Sequence, residues 1–225
     1  MFDKYFGFLK SHDEDSIMKM LLDHARIDAN ELGLLEKMMS RLLGQTTEGD
    51  LNTMYQTLTD IDANNVKVFE TVTDQIIQSQ FDFQKQYDLL RLQQRIDNVS
   101  GLIIASAKRV LIVHNIGTTI PEPLHDSMHR LTHLVVESQQ TFIKALQTFQ
   151  TSRKDVIKLI HHAEEQESMI DTIRSEALEV LFRLGNDTVI KMGDLLALEG
   201  LIEVIEDTSD GIKSATTSLD WLLLS

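Results

Sequence analysis

Pairs of carboxylates spaced four residues apart are the feature of this sequence with the clearest chemical potential. Glu70 and Asp74 form one pair, and Glu167 and Asp171 form another 97 residues later. On a helix this spacing places both side chains on one face, where they repel each other unless a cation lies between them. Clustered carboxylate oxygens suit divalent ions such as Mg²⁺, Mn²⁺, Ca²⁺ or iron. The pairs therefore predict a metal site. The alternative, two solvated helix faces neutralised by neighbouring Lys and Arg, remains open.

The surroundings of the two pairs also repeat. Asp88–Leu90, with Asp97 beyond it, matches Asp194–Leu196, with Glu203 beyond it, at a shift of 106 residues. Acid pairs at this spacing are no more frequent than chance, which predicts roughly five, against six in the chain. The information therefore lies in the register between the two halves. That register predicts a duplicated structural unit.

The positions of helix breakers predict the architecture. Pro121 and Pro123 are the only prolines and mark a loop just past the middle of the chain. Elsewhere apolar residues recur at three- and four-residue steps, which predicts six helices over about residues 15–43, 50–80, 84–115, 121–150, 151–184 and 187–224. We expect Gly185 and Asn186 to end the fifth helix and Asp187 to cap the sixth.

The expected fold class follows from these helices. It is all-α, an elongated six-helix bundle made of two repeated antiparallel three-helix units in a single domain. The first repeat covers about residues 12–116 and the second about residues 121–225.

Composition limits the possible partners. The chain has 35 Asp and Glu against 21 Lys and Arg, a formal net charge of −14 at pH 7. Such a surface repels phosphate backbones, so nucleic-acid binding is not expected. Because the chain has no Cys, thiolate metal sites and Cys nucleophiles are excluded. The sequence shows no signal-peptide pattern, and its longest apolar stretch is much shorter than the roughly 20 residues that a membrane helix needs. We therefore expect a cytoplasmic protein.

At these motifs the chain resembles a known family. The segments 70–74 and 167–171, ETVTD and ESMID, resemble the E-x-x-x-D signatures of the PhoU-like proteins. Two further segments, 81–97 and 203–207, resemble motifs of the branch often encoded beside low-affinity Pit phosphate transporters. The resemblance implies two three-helix repeats, metal clusters on the E-x-x-x-D faces, and a non-enzymatic role in regulating phosphate transport.

The resemblance also implies a ligand set and partners. Carried over by position, the metal ligands are Glu70, Asp74, Asp97, Glu167, Asp171, Glu203 and Asp207. The ion would be divalent (iron, Mn, Mg, Zn or Ca), and the partner a phosphate transporter or its signalling proteins. A homo-oligomer and peripheral contact with a membrane transporter are expected. Because Gly101 stands where the second copy has Asp207, we expect a metal ion to bind first in the second copy.

Two other classes of function remain as alternatives. One is an acidic helical adaptor whose long faces bind partner helices without metal. The other is a metal-dependent hydrolase, for which the sequence identifies neither an open coordination position nor a general base. No glycine-rich phosphate loop is present, since no two glycines form a G-x-G.

Two further segments have candidate roles. His125, His129 and His133 lie on one face of the predicted fourth helix and can bind zinc or nickel, but a partly exposed polar face is the favoured interpretation. The chain begins with an aromatic face formed by Phe2, Tyr5, Phe6 and Leu9. Docking of this face onto the bundle is favoured over contact with a membrane or transporter, because Lys and Arg are few.

Overall fold

The structure is a computed structural model that describes the backbone of residues 2–224 and the side chains of residues 13–224. Within these residues the chain forms helices joined by short loops, with no strand, and the predicted all-α class is confirmed. Six helices and one 3₁₀ turn form it: α1 (Phe2–Leu42), α2 (Leu51–Gln78), α3 (Phe83–Asn115), the 3₁₀ turn (Glu122–Leu124), α4 (His125–Thr148), α5 (Arg153–Asn186) and α6 (Met192–Leu224). The aromatic face at Phe2–Leu9 lies outside the described side chains.

Polar side chains fix where several helices begin. Asp50 accepts a hydrogen bond from the Thr53 backbone N–H at 2.9 Å, and Asp82 accepts one from Lys85 at 3.0 Å. Ser152 caps α5 in the same way. Each of these side chains satisfies a backbone donor that has no partner within the first turn of its helix.

One predicted cap is wrong. Asp187 does not begin α6. Its backbone N–H instead donates to the Arg183 and Gly185 carbonyls and closes the last turn of α5. Thr188, at φ 58°, then reverses the chain, and α6 begins only at Met192. The Asn-Asp-Thr sequence therefore forms a C-terminal cap, the other role open to such residues.

The two repeats meet mainly along α3 and α6. A Cβ at Gly211 of α6 would lie 2.7 Å from Leu102 Cδ1, so the two helices approach closely there. The Ser106 hydroxyl of α3 donates to the Val204 carbonyl of α6 at 3.0 Å. Helices α1 and α4 also pack together, and α2 and α5 lie on the outside of their own repeats. No helix in the described chain has the length and apolar composition to cross a membrane.

The pattern of buried residues shows how the helices of the two repeats align. Each of the twelve buried residues of α3 has a buried counterpart 109 positions later in α6. Each of the five buried residues of α2 has one 105 positions later in α5. Ten of the eleven buried residues of α1 have one 107 positions later, in α4 or the turn before it. The duplicated unit is therefore visible in the packing.

The sequence-based register differs from this one. The predicted shift of 97 pairs only one of the five buried α2 positions, Ile76, with a buried residue of α5. At the observed shift, Glu70 corresponds to Ser175 and Asp74 to Glu179, so the two acid pairs are not equivalent. Helical patterns look similar after shifts of three, four, seven or eight residues. The short motifs that match at shifts of 97 and 106 therefore pair residues that lie about two turns and one turn away from their structural counterparts.

The orientation of α3 generates a stability prediction. Ile103→Ala should lower the free energy of unfolding by about 2–5 kcal/mol, because Ile103 is fully buried and truncation leaves a cavity. Ile112→Ala is the matched control on the same helix, where the side chain is 38% exposed, and it should cost less than about 1 kcal/mol. Urea denaturation measures both. Equal losses would show that α3 is rotated relative to the core.

Candidate functional site in two acid clusters

Four carboxylates from three helices meet inside the first repeat. Asp28 and Glu31 lie one turn apart on α1, Asp62 lies on α2, and Asp97 lies on α3. We call these four residues the first acid cluster. Asp28 and Glu31 are fully buried, although the apolar core surrounds them on α1. Buried carboxylates are rare because desolvation strongly disfavours the charged form unless a partner neutralises it.

Ser100 of α3 joins the members of this cluster. Its hydroxyl oxygen lies 2.8 Å from Glu31 Oε2 and 3.0 Å from Asp62 Oδ1. A hydroxyl has one proton, so it can donate to only one of these carboxylates. Asn65 Nδ2 adds a contact of 3.4 Å to the same oxygen and one of 3.5 Å to Glu31 Oε1. The cluster therefore contains more acceptors than donors.

The electrostatics of the first acid cluster reflect this imbalance. Burial raises the pKa of Asp28 well above its usual range, and Glu31, Asp97 and Asp62 raise it further. Burial, together with Asp62, raises the pKa of Glu31 to about 7, against the opposing hydrogen bond from Ser100. Among the described side chains, no Lys or Arg forms an ion pair with any of the four acids.

A buried histidine borders the cluster. His24 precedes Asp28 by one turn of α1, and its Nδ1 lies 3.3 Å from Gln93 Nε2 and 3.5 Å from Gln93 Oε1 on α3. Burial lowers the pKa of His24, so the imidazole is neutral near pH 7. Its Nε2 is buried and has no hydrogen-bond partner among the described protein atoms. When Nδ1 carries the proton and donates to the Gln93 carbonyl, Nε2 presents a lone pair.

The second repeat holds a different group of acids, which we call the second acid cluster. It comprises Glu167 and Asp171 on α5 and Glu203, Glu206 and Asp210 on α6. Two cations lie among them. Arg174 Nε donates to Glu203 Oε2 at 2.9 Å and lies 3.6 Å from Glu206 Oε2. The Lys213 ammonium donates to Glu167 Oε1. Two cations of the chain therefore neutralise part of this cluster of five acids.

Several groups of the second acid cluster have shifted pKa values. Burial and the neighbouring Asp210 raise the pKa of Glu206 to about 7, although Arg174 opposes the shift. Burial and Glu167 likewise raise the pKa of Asp210. The hydrogen bond to Glu167 raises the pKa of Lys213. Lys213 is therefore held in its charged form.

The two clusters correspond in part. At the observed register Asp62 corresponds to Glu167, and Asp97 corresponds to Glu206. The α1 acids have apolar or neutral counterparts, since Val135 and Ser138 occupy the positions of Asp28 and Glu31. Conversely, Phe69 and Ile104 of the first repeat stand where the second has Arg174 and Lys213. The repeats share two acids and differ in what neutralises them.

The seven predicted ligands are distributed unevenly over these clusters. Asp97 belongs to the first acid cluster, and Glu167, Asp171 and Glu203 belong to the second. Asp207 lies exposed beside the second cluster and contributes to the raised pKa of Asp210. Glu70 and Asp74 are exposed on α2, and no described side chain forms an ion pair or hydrogen bond with either. As placed, no group of three or more His, Asp or Glu side chains within residues 13–224 is arranged to hold a metal ion.

The histidine stripe of α4 has local partners. His125 Nε2 contacts the Ile120 carbonyl at 2.9 Å, and His133 Nδ1 lies 2.9 Å from Glu36 Oε1. His129 stacks on His133, with ring centroids 6.2 Å apart. The hydrogen bond to Glu36 raises the pKa of His133. These contacts agree with the favoured interpretation of an exposed polar face.

Sequence reasoning missed the α1 half of the first acid cluster. His24, Asp28 and Glu31 follow the i, i+4, i+7 spacing of one helix face, and Leu21, Leu32 and Leu35 share that face. Polar residues inside an apolar stripe are unusual, because a helix buries such a stripe. The spacing of these three polar residues was therefore a signal available in the sequence.

The raised pKa of Glu31 gives a pH prediction for metal-free protein. The pKa of Glu31 is raised from its ordinary value of 4.5 to about 7 in the folded protein. Between these two pH values the Glu31 carboxyl therefore binds more protons in the folded state than in the unfolded state. Its stabilising contribution is full below about pH 4.5 and disappears as pH rises through about 7. Glu31→Gln removes this contribution, so its stability relative to the wild type should rise by at most about 3 kcal/mol between pH 5 and pH 8. Denaturation in EDTA measures it, and a pH-independent difference would contradict the assignment.

The ion pair of the second acid cluster gives a mutational prediction. Lys213→Met should lower the free energy of unfolding by about 1–2 kcal/mol, because it leaves the mostly buried Glu167 carboxylate unpaired. Adding Glu167→Gln should restore most of this loss. Lys158→Met is the matched control, because its partner Asp155 is half exposed, and it should cost less than about 0.5 kcal/mol. Additive losses in the double variant would show that the pair is not coupled.

Comparison with known proteins gives matches in structure only. No protein-family profile and no curated protein sequence matches the chain. A PhoU-like protein from Shewanella oneidensis MR-1 has a TM-score of 0.78 at 15% identity, covering 92% of this chain and 99% of that one. A putative PhoU-like phosphate regulatory protein from the same strain has a TM-score of 0.74 at 16% identity, covering 92% and 99%. PhoU from Pseudomonas aeruginosa has a TM-score of 0.79 at 10% identity, covering 95% and 98%. The chain therefore has the fold of the PhoU-like proteins, as its E-x-x-x-D motifs predicted.

Proposed function

We propose that this protein is a non-enzymatic regulator of phosphate transport, of the kind that accompanies Pit transporters. The observation that carries the proposal is the likeness to PhoU and PhoU-like structures over more than nine-tenths of the chain. One of these structures is described as a phosphate regulatory protein. The likeness covers both repeats in order, so it concerns the whole molecule and not one helical hairpin.

The proposed partner is a phosphate transporter or one of its signalling proteins. The acidic surface favours a partner face that carries Lys and Arg, because complementary charge speeds encounter and excludes wrong partners. The proposed setting is the cytoplasm, with peripheral contact at the transporter and assembly into a homo-oligomer. These features extend the expectations drawn from the sequence.

Divalent cation binding is the proposed means of control. Carboxylates in both repeats exceed the cations near them, and such oxygen-rich groups are typical ligands for divalent ions. The seven acids implied by the E-x-x-x-D resemblance are one candidate set of ligands. The ion would be iron, Mn, Mg, Zn or Ca.

One observation favours the alternative of a metal-independent adaptor. Arg174 and Lys213 already engage Glu203 and Glu167, so the second repeat has an internal substitute for a metal ion. A regulator whose acids are neutralised in this way would bind its partner through charge and shape alone. This alternative shares the proposed partner and differs only in needing no ion.

Phosphate uptake tests the proposed function. Deleting the gene in its host should change the rate of phosphate uptake, or its response to external phosphate, because the transporter loses its regulator. Restoring the wild-type chain should return uptake to its original rate, and sulfate uptake, the control, should not change. Radiolabelled phosphate and sulfate measure both. Unchanged phosphate uptake at both low and high external phosphate would show that the proposed function is wrong.

A further inference from the structure

Asp28 is the most unusual side chain of the first acid cluster. It is 0% exposed, and neither of its carboxylate oxygens has a hydrogen-bond partner among the described protein atoms. Its electrostatic neighbours are the other three acids of the cluster, Glu31, Asp62 and Asp97. A buried carboxyl that faces three further carboxylates is stable only with a proton of its own, a nearby positive charge or several hydrogen-bond donors.

The local donors do not meet this requirement. The Ser100 hydroxyl and the Asn65 amide are engaged with Glu31 and Asp62, and neither reaches Asp28. Asn65 Oδ1 and His24 Nε2 are also buried and without partners. The atoms left without partners are therefore two carboxylate oxygens, one amide oxygen and one imidazole nitrogen. In the tautomer that donates from Nδ1, all four present lone pairs.

We propose that the first acid cluster binds one divalent metal cation, held between α1, α2 and α3, with Asp28 as its central ligand. Glu31, Asp62 and Asp97 supply further carboxylate oxygens, and His24 Nε2 completes the set. This inference rests on the proposed cation binding and names a site for it. Of its residues, only Asp97 belongs to the seven E-x-x-x-D ligands.

A cation fits these groups better than protons do. A proton placed on one carboxyl supplies a single donor, whereas a divalent ion accepts lone pairs from five or six atoms at once. Carboxylates combined with one imidazole suit Mn²⁺ and Fe²⁺, which bind both kinds of ligand. Convergence on one ion requires the half-buried Asp62 and Asp97 side chains to turn towards Asp28. Carboxylates without a cation repel each other and point apart.

The second repeat supports the inference by contrast. It keeps the two shared acids as Glu167 and Glu206 but lacks counterparts of Asp28 and Glu31. Its charge is offset by Lys213, which donates to Glu167, and by Arg174, which donates to Glu203. The proposal therefore gives one divalent ion per chain, bound in the first acid cluster. The metal ion binds first in the first repeat, which is the reverse of the order expected from the sequence.

Mn²⁺ binding to EDTA-stripped full-length protein tests the proposal. Calorimetry near pH 7 should show one tight site in the wild type, and Asp28→Asn should weaken it by at least about tenfold, as the loss of a metal-coordinating group does. The matched control Asp60→Asn, exposed on α2 and outside both candidate ligand sets, should bind Mn²⁺ as the wild type does. His24→Gln should weaken Mn²⁺ binding more than Mg²⁺ binding, because imidazole is a poor ligand for Mg²⁺.

Thermal melting separates ligand loss from misfolding. Without metal, Asp28→Asn should melt at or above the wild-type temperature, because it removes an ionisable group from the core. Added Mn²⁺ should raise the melting temperature of the wild type and raise that of Asp28→Asn by less. The absence of a tight Mn²⁺ site in the wild type would overturn the proposal, as would unchanged binding in Asp28→Asn. Loss of binding in Asp74→Asn or Asp171→Asn alone would overturn it in favour of the E-x-x-x-D acids. Phosphate uptake, measured separately, decides the regulatory role.

Discussion

The cost of burying carboxylates between helices governs the arrangement of this molecule. A helix bundle stabilises itself by removing one face of each helix from water, and each acid on such a face requires a compensating charge or hydrogen bond. The two repeats meet this constraint differently. The second supplies Arg174 and Lys213 from its own helices. The first places Asp28 and Glu31 on the buried face of α1 with no Lys or Arg ion-paired to them among the described side chains.

The two repeats agree in packing and differ in charge. Every buried residue of α3 and of α2 has a buried counterpart in the second repeat. Asp62 and Asp97 also have acidic counterparts, Glu167 and Glu206. The neighbouring positions differ, with acids on α1 in the first repeat and cations on α5 and α6 in the second. The proposed site for an external ion in the first repeat therefore corresponds to an internal ion pair in the second.

Sequence reasoning predicted the fold well, and four of the seven ligands that it proposed lie in the two acid clusters. Periodicity and the two prolines gave six helices with most boundaries within a few residues, because long amphipathic helices have a strong period. The register failed, because a helical pattern resembles itself after one or two turns and short motifs such as Asp-Leu-Leu cannot distinguish the turns. The role of Asp28 depends on what α2 and α3 place opposite it. Spacing along one helix does not contain that information, although a polar residue in the α1 stripe was a usable signal.

The most direct measurement is anomalous X-ray diffraction from crystals of the full-length protein grown with Mn²⁺. The account predicts one strong anomalous peak per chain, within ligand distance of the Asp28 carboxylate and bordered by Glu31, Asp62 and Asp97. It also predicts that Lys213 remains in contact with Glu167 and that no peak lies there. A peak at the second acid cluster with none at the first would contradict the account, and so would the absence of any peak beside Asp28.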